Sequence, residues 1–176
     1  FNSYKTNVPL ISDNNTFTNS FETKHFTELY DGNISTFSIF LKSSNSLTND
    51  DIKLSERLFV PSKKLRGFER GKVGPIDGST YIGGNYLTSL NFTSTLPYLL
   101  EDSEDVNLLF FMDAANLWGV DYNSSLDNND NINSSLGIGI DYYSPIGPLS
   151  FSLAQPLTKN SSDITETFRF NIGTSF

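Results

Sequence analysis

The chain closes on "TETFRFNIGTSF" (Thr165–Phe176), where apolar and polar side chains alternate. Phe168, Phe170, Ile172 and Phe176 fall on one face; Thr167, Arg169, Asn171, Gly173 and Ser175 fall on the other. A period of two puts successive side chains on opposite sides of an extended backbone, so the segment reads as a strand with one bulky apolar face.

The same pattern recurs upstream. "SSLGIGIDYYS" sets Leu136, Ile138, Ile140 and Tyr142 against Gly137, Gly139, Asp141 and Tyr143. "PLSFSLAQPL" sets Leu149, Phe151 and Leu153 against Ser150, Ser152 and Ala154. "VNLLFFMDAANLW" is more apolar, and its Asp113 shares a face with Leu109 and Phe111. "NYLTSLNFTST", "STFSIFLKSS", "TFTNSFETKHFTEL" and the opening "FNSYKTNVPL" complete a set of eight expected strands, with no convincing helix.

Composition agrees with an all-β chain. Among 176 residues there are 15 Phe and 8 Tyr beside a large excess of Asn and Ser. Aromatic residues fit best on a pleated surface. The net charge of −8 argues against nucleic acid as a partner, because no basic stripe exists to replace phosphate counterions. No cysteine is available for disulfides or thiolate metal sites, and the single histidine, His25, cannot build a zinc site alone. His25 is expected in a lumen or at an interface. No apolar run approaches the roughly 18 residues of a membrane helix. The chain starts without Met and reads as a fragment of something longer.

The connections sort by length. "LYDGNIS" and "YSPIGP" are tight turns and "LPYLLEDSED" is medium, whereas the link from Ser43 to Gly84 and "GVDYNSSLDNNDNINSS" are long. Transmembrane barrels place short turns at one end and long polar loops at the other. Ten residues at ~3.3 Å each, tilted by ~40°, also span about the 25 Å of an outer-membrane apolar band. Alternation alone cannot separate a membrane barrel from a soluble sandwich or lipocalin-like barrel, since the period is the same in both. Two features favour the membrane: the second face is too small and polar to complement another sheet, and the chain ends on an aromatic.

Four stretches carry a resemblance: "LRGF" (Leu65–Phe68) followed by "GPIDG"; "GGN" (Gly83–Asn85); "FFMDAANLW" (Phe110–Trp118); and "SPIGPLSFSLAQPL" running on to "FRFNIGTSF". In this order the chain resembles the C-terminal half of the outer-membrane β-barrel assembly factors. These are the barrel subunits of the Bam complex, in the superfamily of barrels preceded by POTRA domains. The resemblance implies that residues 1–176 are the second half of a sixteen-strand antiparallel barrel, with earlier strands and POTRA domains upstream. It also implies that the link of about 43–84 folds into the lumen.

That family explains the cluster of five cations and two anions in "KKLRGFERGKVGPIDG" (Lys63–Gly78). The resemblance implies that Arg66 forks onto Asp113 of the barrel wall, that Gly67 allows close approach, and that Phe68 packs against lumen side chains. Where the family often has a second carboxylate this chain has Asn91, expected to accept a hydrogen bond without bringing charge. The family's Phe-x-Asp-x-Gly reads Phe111, Asp113, Ala115, which puts the close approach of its Gly in question. Phe168, Phe170, Gly173 and Phe176 match the family's terminal-strand signal, and the last strand would form an openable seam.

Implied partners are outer-membrane lipid, unfolded outer-membrane proteins and accessory lipoproteins, in the outer membrane of Gram-negative bacteria. No cofactor, metal or catalytic constellation is expected: Lys72 is followed by Val, against the P-loop pattern, and Asp121–Asp130 lacks an EF-hand's Gly and Glu. The rivals are a secretion translocator of the same superfamily and a passive porin or ligand-binding barrel.

Overall fold

The computed structural model describes residues 1–8, 16–48, 50–99, 105–127, 132–145 and 147–172. Gly173 and Phe176 of the terminal motif therefore lie outside the described residues. Eight strands form one sheet: β1 (Asn2–Asn7), β2 (Thr16–Thr27), β3 (Ser35–Ser46), β6 (Tyr86–Thr95), β7 (Val106–Trp118), β8 (Asn133–Ser144), β9 (Gly147–Thr158) and β10 (Phe168–Ile172). Each neighbours the next along the chain and every pairing is antiparallel. A second, two-stranded ribbon of β4 (Ile76–Asp77) and β5 (Thr80–Tyr81) sits within the long link.

The eight expected strands are the eight strands of the sheet, and the described residues hold only three short 3₁₀ turns as helix. The expected link of 43–84 is shorter at its start, because Ser43–Ser46 still pair with Thr16–Asn19 and prolong β3. The β4–β5 ribbon went unforeseen. Two residues per strand are too few for alternation to register.

Alternation decides the faces. Phe37, Leu41, Leu90, Met112, Ile138, Leu153, Phe168 and Phe170 all stand exposed on one side. The other side carries Ser38, Ser89, Asn91, Asp113 and Ser135, all buried beneath the long link. Register joins four of these residues with Lys24 into one row, Lys24–Ser38–Asn91–Asp113–Ser135, running across five strands. Bulky aromatics facing outward and hydroxyls facing inward are the reverse of a soluble core. Among the inward aromatics, Phe111 is fully buried and Phe40 packs against the apolar cluster under the link.

The largest core cluster lies between link and sheet. Leu58, Val60, Leu65, Phe68 and Val73 from the link meet Leu87 of β6 and Ala115 and Leu117 of β7. Burying a side chain of this size is worth about 1.5–3 kcal/mol, so apolar packing holds the link alongside any ion pair. Leu58 and Gly84 exchange backbone hydrogen bonds of 2.7 and 3.0 Å, closing the excursion at its base. His25, expected in a lumen or at an interface, is not in the lumen. It stands opposite Phe37 in the register, on the outer side, and is exposed.

Candidate functional site

The site is built where the link crosses the inner face of β6, β7 and β8. Its tip, Leu65-Arg66-Gly67-Phe68, has no regular structure of its own, and its backbone polar groups find partners on the wall. The N–H of Arg66 donates to Asp113 Oδ2 at 3.0 Å, and its carbonyl accepts from Ser135 Oγ at 2.5 Å. The Gly67 carbonyl accepts from the N–H of Glu166 at 3.0 Å.

The Arg66 side chain completes the pairing. Its Nε donates to Asp113 Oδ2 and its Nη2 to Asp113 Oδ1, both at 2.7 Å, a two-pronged fit of planar guanidinium to planar carboxylate. The Asp113 side chain is 0% exposed. The Arg66 guanidinium carbon also lies 3.6 Å from the centre of the Phe111 ring, so β7 presents a carboxylate and an aromatic face to one cation. Those residues stand two apart in a strand, which is why both point inward.

Asn91 acts differently from the expected acceptor. Its Nδ2 donates to Asp113 Oδ1 at 2.9 Å and to the Lys64 carbonyl at 2.9 Å, while its Oδ1 accepts from Ser89. A carboxylate directly opposite in the register offers only acceptors, so the amide turns its donor side towards it. Asn91 thus orients Asp113 and holds the link's backbone; it makes no bond to Arg66 among the described contacts.

Gly67 has φ of +88°, a conformation in which a Cβ is strained, and an added Cβ would lie 3.0 Å from Ala154 Cβ. Phe68 is 2% exposed within the cluster that includes Ala115, so an alanine at that position still admits a tightly packed link.

Two further contacts had no sequence signal. Lys64 Nζ lies 2.6 Å from Glu22 Oε1 on β2 and 5.0 Å from the centre of the Phe40 ring. Arg169 of β10 reaches the link from the other edge of the sheet. Near the start of the link Arg57 pairs with Asp121, whose Oδ2 also accepts from the N–H of Ile52 at 2.6 Å. Burial alone would push the Asp121 carboxyl up, but the Ile52 N–H and the Arg57 cation together hold it below the ordinary carboxylate value. Phe168 and Phe170 stand outward on β10, with Phe170 stacked on Phe151 at a ring separation of 4.7 Å.

Outward aromatics, an inward polar row and a long loop pinned across that row together define a segment of a membrane β-barrel with an infolded loop. The chain belongs to the Omp85 superfamily, whose domain model matches residues 2–176. It is similar to the outer membrane protein assembly factor BamA of Neisseria meningitidis serogroup B, at 29% identity over 139 residues, covering 64% of this chain and 17% of that protein. BamA of Neorickettsia risticii is 26% identical over 144 residues, covering 79% of this chain and 19% of that protein. The chain thus spans less than a fifth of either relative. Its fold resembles the crystal structure of BamA from Haemophilus ducreyi lacking POTRA domains 1–3. The TM-score is 0.81 at 24% identity, over 90% of this chain and 35% of that one.

Proposed function

We propose that this segment is part of an outer-membrane barrel that folds and inserts other β-barrel proteins, in the outer membrane of Gram-negative bacteria. In this reading the link is a lumenal loop locked to the wall by Arg66 on Asp113. The observation that carries the reading is that bidentate pair, with a carboxylate wholly removed from solvent. A buried carboxylate stripped of its cation is costly, so the loop has one strongly preferred seat.

The work is done by binding, without an enzymatic step. Among the described residues β10 pairs with β9 from Phe168↔Leu153 to Ile172↔Leu149. Once β10 is released from β9, its backbone N–H and C=O groups can pair with a strand of an unfolded outer-membrane protein. Outward Phe168 and Phe170 meet lipid beside that seam, and Gly173 and Phe176 extend the same terminal motif. Unfolded barrel proteins, lipid and accessory lipoproteins are the partners of this reading.

The test uses the full-length protein carrying this segment, with porin folding followed by heat-modifiable gel mobility. Arg66→Asp is expected to abolish client folding, and Asp113→Arg in the same chain to restore part of it. Undiminished folding with Arg66→Asp would remove the lock. A high steady ion conductance of the unaltered protein would favour a passive pore instead.

A further inference from the structure

The approach to β10 is fastened to the loop more than to the sheet. From Ile164 to Glu166 the backbone bonds run to the loop: Glu69 N–H to the Ile164 carbonyl at 2.9 Å, Ile164 N–H to the Lys72 carbonyl at 3.1 Å, and Glu166 N–H to the Gly67 carbonyl at 3.0 Å. Phe68 and Thr165 form an antiparallel bridge. Only at Thr167 does the chain join β9, through the N–H of Ala154 at 2.8 Å.

One side chain of the terminal strand makes the same connection. Arg169 projects inward, and its side chain is 11% exposed. Its Nη2 donates to the Phe68 carbonyl at 2.5 Å and its Nη1 to the Ser62 carbonyl at 3.1 Å. Its Nε and Nη2 donate to Glu166 Oε2 at 3.0 and 2.6 Å. The guanidinium therefore holds two loop carbonyls six residues apart, while Glu166 balances its charge. Those carbonyls flank Arg66, so displacing the tip from Asp113 must break bonds that also hold β10.

We propose that Arg169 is a positioning residue that couples the loop's seat on β7 to the pairing of β10 with β9. Loosening either one loosens the other. Coupling of this kind is reciprocal and typically amounts to about 5–150-fold. The inference concerns two elements of this chain and holds whatever the barrel acts upon.

The experiment is amide hydrogen exchange on the full-length protein in lipid nanodiscs, read on peptides covering β10, residues 62–68 and β7. Arg169→Gln is expected to speed exchange of β10 and of residues 62–68 by about fivefold or more, with β7 still protected. Arg66→Gln is expected to speed exchange of β10 in the parent, and to add little once Arg169→Gln is present. Arg169→Lys, which keeps charge but loses the fork, should fall between. An unchanged β10 in Arg169→Gln overturns the proposal, as do independent, multiplying effects of the two substitutions. If Arg169→Gln also exposes β7, the Arg169→Lys variant decides: faster exchange confined to β10 and residues 62–68 supports the coupling, and unaltered exchange overturns it.

Discussion

β7 and β10 each send one charged residue to the inner face, yet the two are held in opposite ways. Asp113 stands midway along a strand with ten register pairs to β6 and ten to β8. The wall is rigid there and the loop comes to it. Arg169 stands on β10, which among the described residues pairs with β9 alone, and its guanidinium reaches out to the loop. At the centre of the sheet the strand positions the loop; at the edge the loop positions the strand. The same side-chain chemistry thus serves as a fixed anchor in one place and as a tether in the other.

That contrast can be broken most strongly at its fixed end. Arg66→Asp opposes two carboxylates at a wholly buried position and should cost about 3–5 kcal/mol of loop seating. Proteolysis of the loop in the folded protein would measure it; a loop as protected as before would show that apolar packing alone holds the seat. Gly67→Ala comes next, at about 1–2 kcal/mol, because it places a Cβ at φ of +88° against Ala154. It should raise loop cleavage without altering either ionic partner.

Lys64→Met tests whether the loop has a second ionic anchor, on β2. The pair with Glu22 is partly exposed, so a loss of about 0.5–1 kcal/mol is expected. In a double-mutant cycle with Glu22→Gln the effects should be sub-additive. Strict additivity would separate the two residues.

The smallest effect is a pH dependence where Asp121 meets Arg57 and Ile52. The folded pKa of Asp121 lies below its unfolded value of about 3.9, so its tie to Arg57 and Ile52 is fully present above that value. The contribution is lost as pH falls from there through the lower folded value. Asp121→Asn should flatten this acid limb in the hydrogen exchange of residues 50–58. An unchanged limb would assign it to another group.

Much of this architecture was legible from alternation. The faces of β7, β8, β9 and β10 follow from side chains two apart, and Asp113 was placed inward on that ground. The partner of Arg66 came from a motif resemblance. The reach of Lys64 to Glu22, of Arg169 to Phe68 and Ser62, and the donor role of Asn91 carried no such signal. Lys64 and Arg169 look in the sequence like ordinary loop and strand cations, and Asn91 like a weak substitute for a carboxylate.

Which side chains share a face is a local property, because a backbone of period two sorts each side chain by its immediate neighbours alone. The seat of the loop is not local. It depends on which groups more than forty or a hundred residues apart come within hydrogen-bond distance, as Lys64 and Glu22 or Arg169 and Ser62 do. Only the folded sheet, by setting its register and laying the loop across it, brings those charges together.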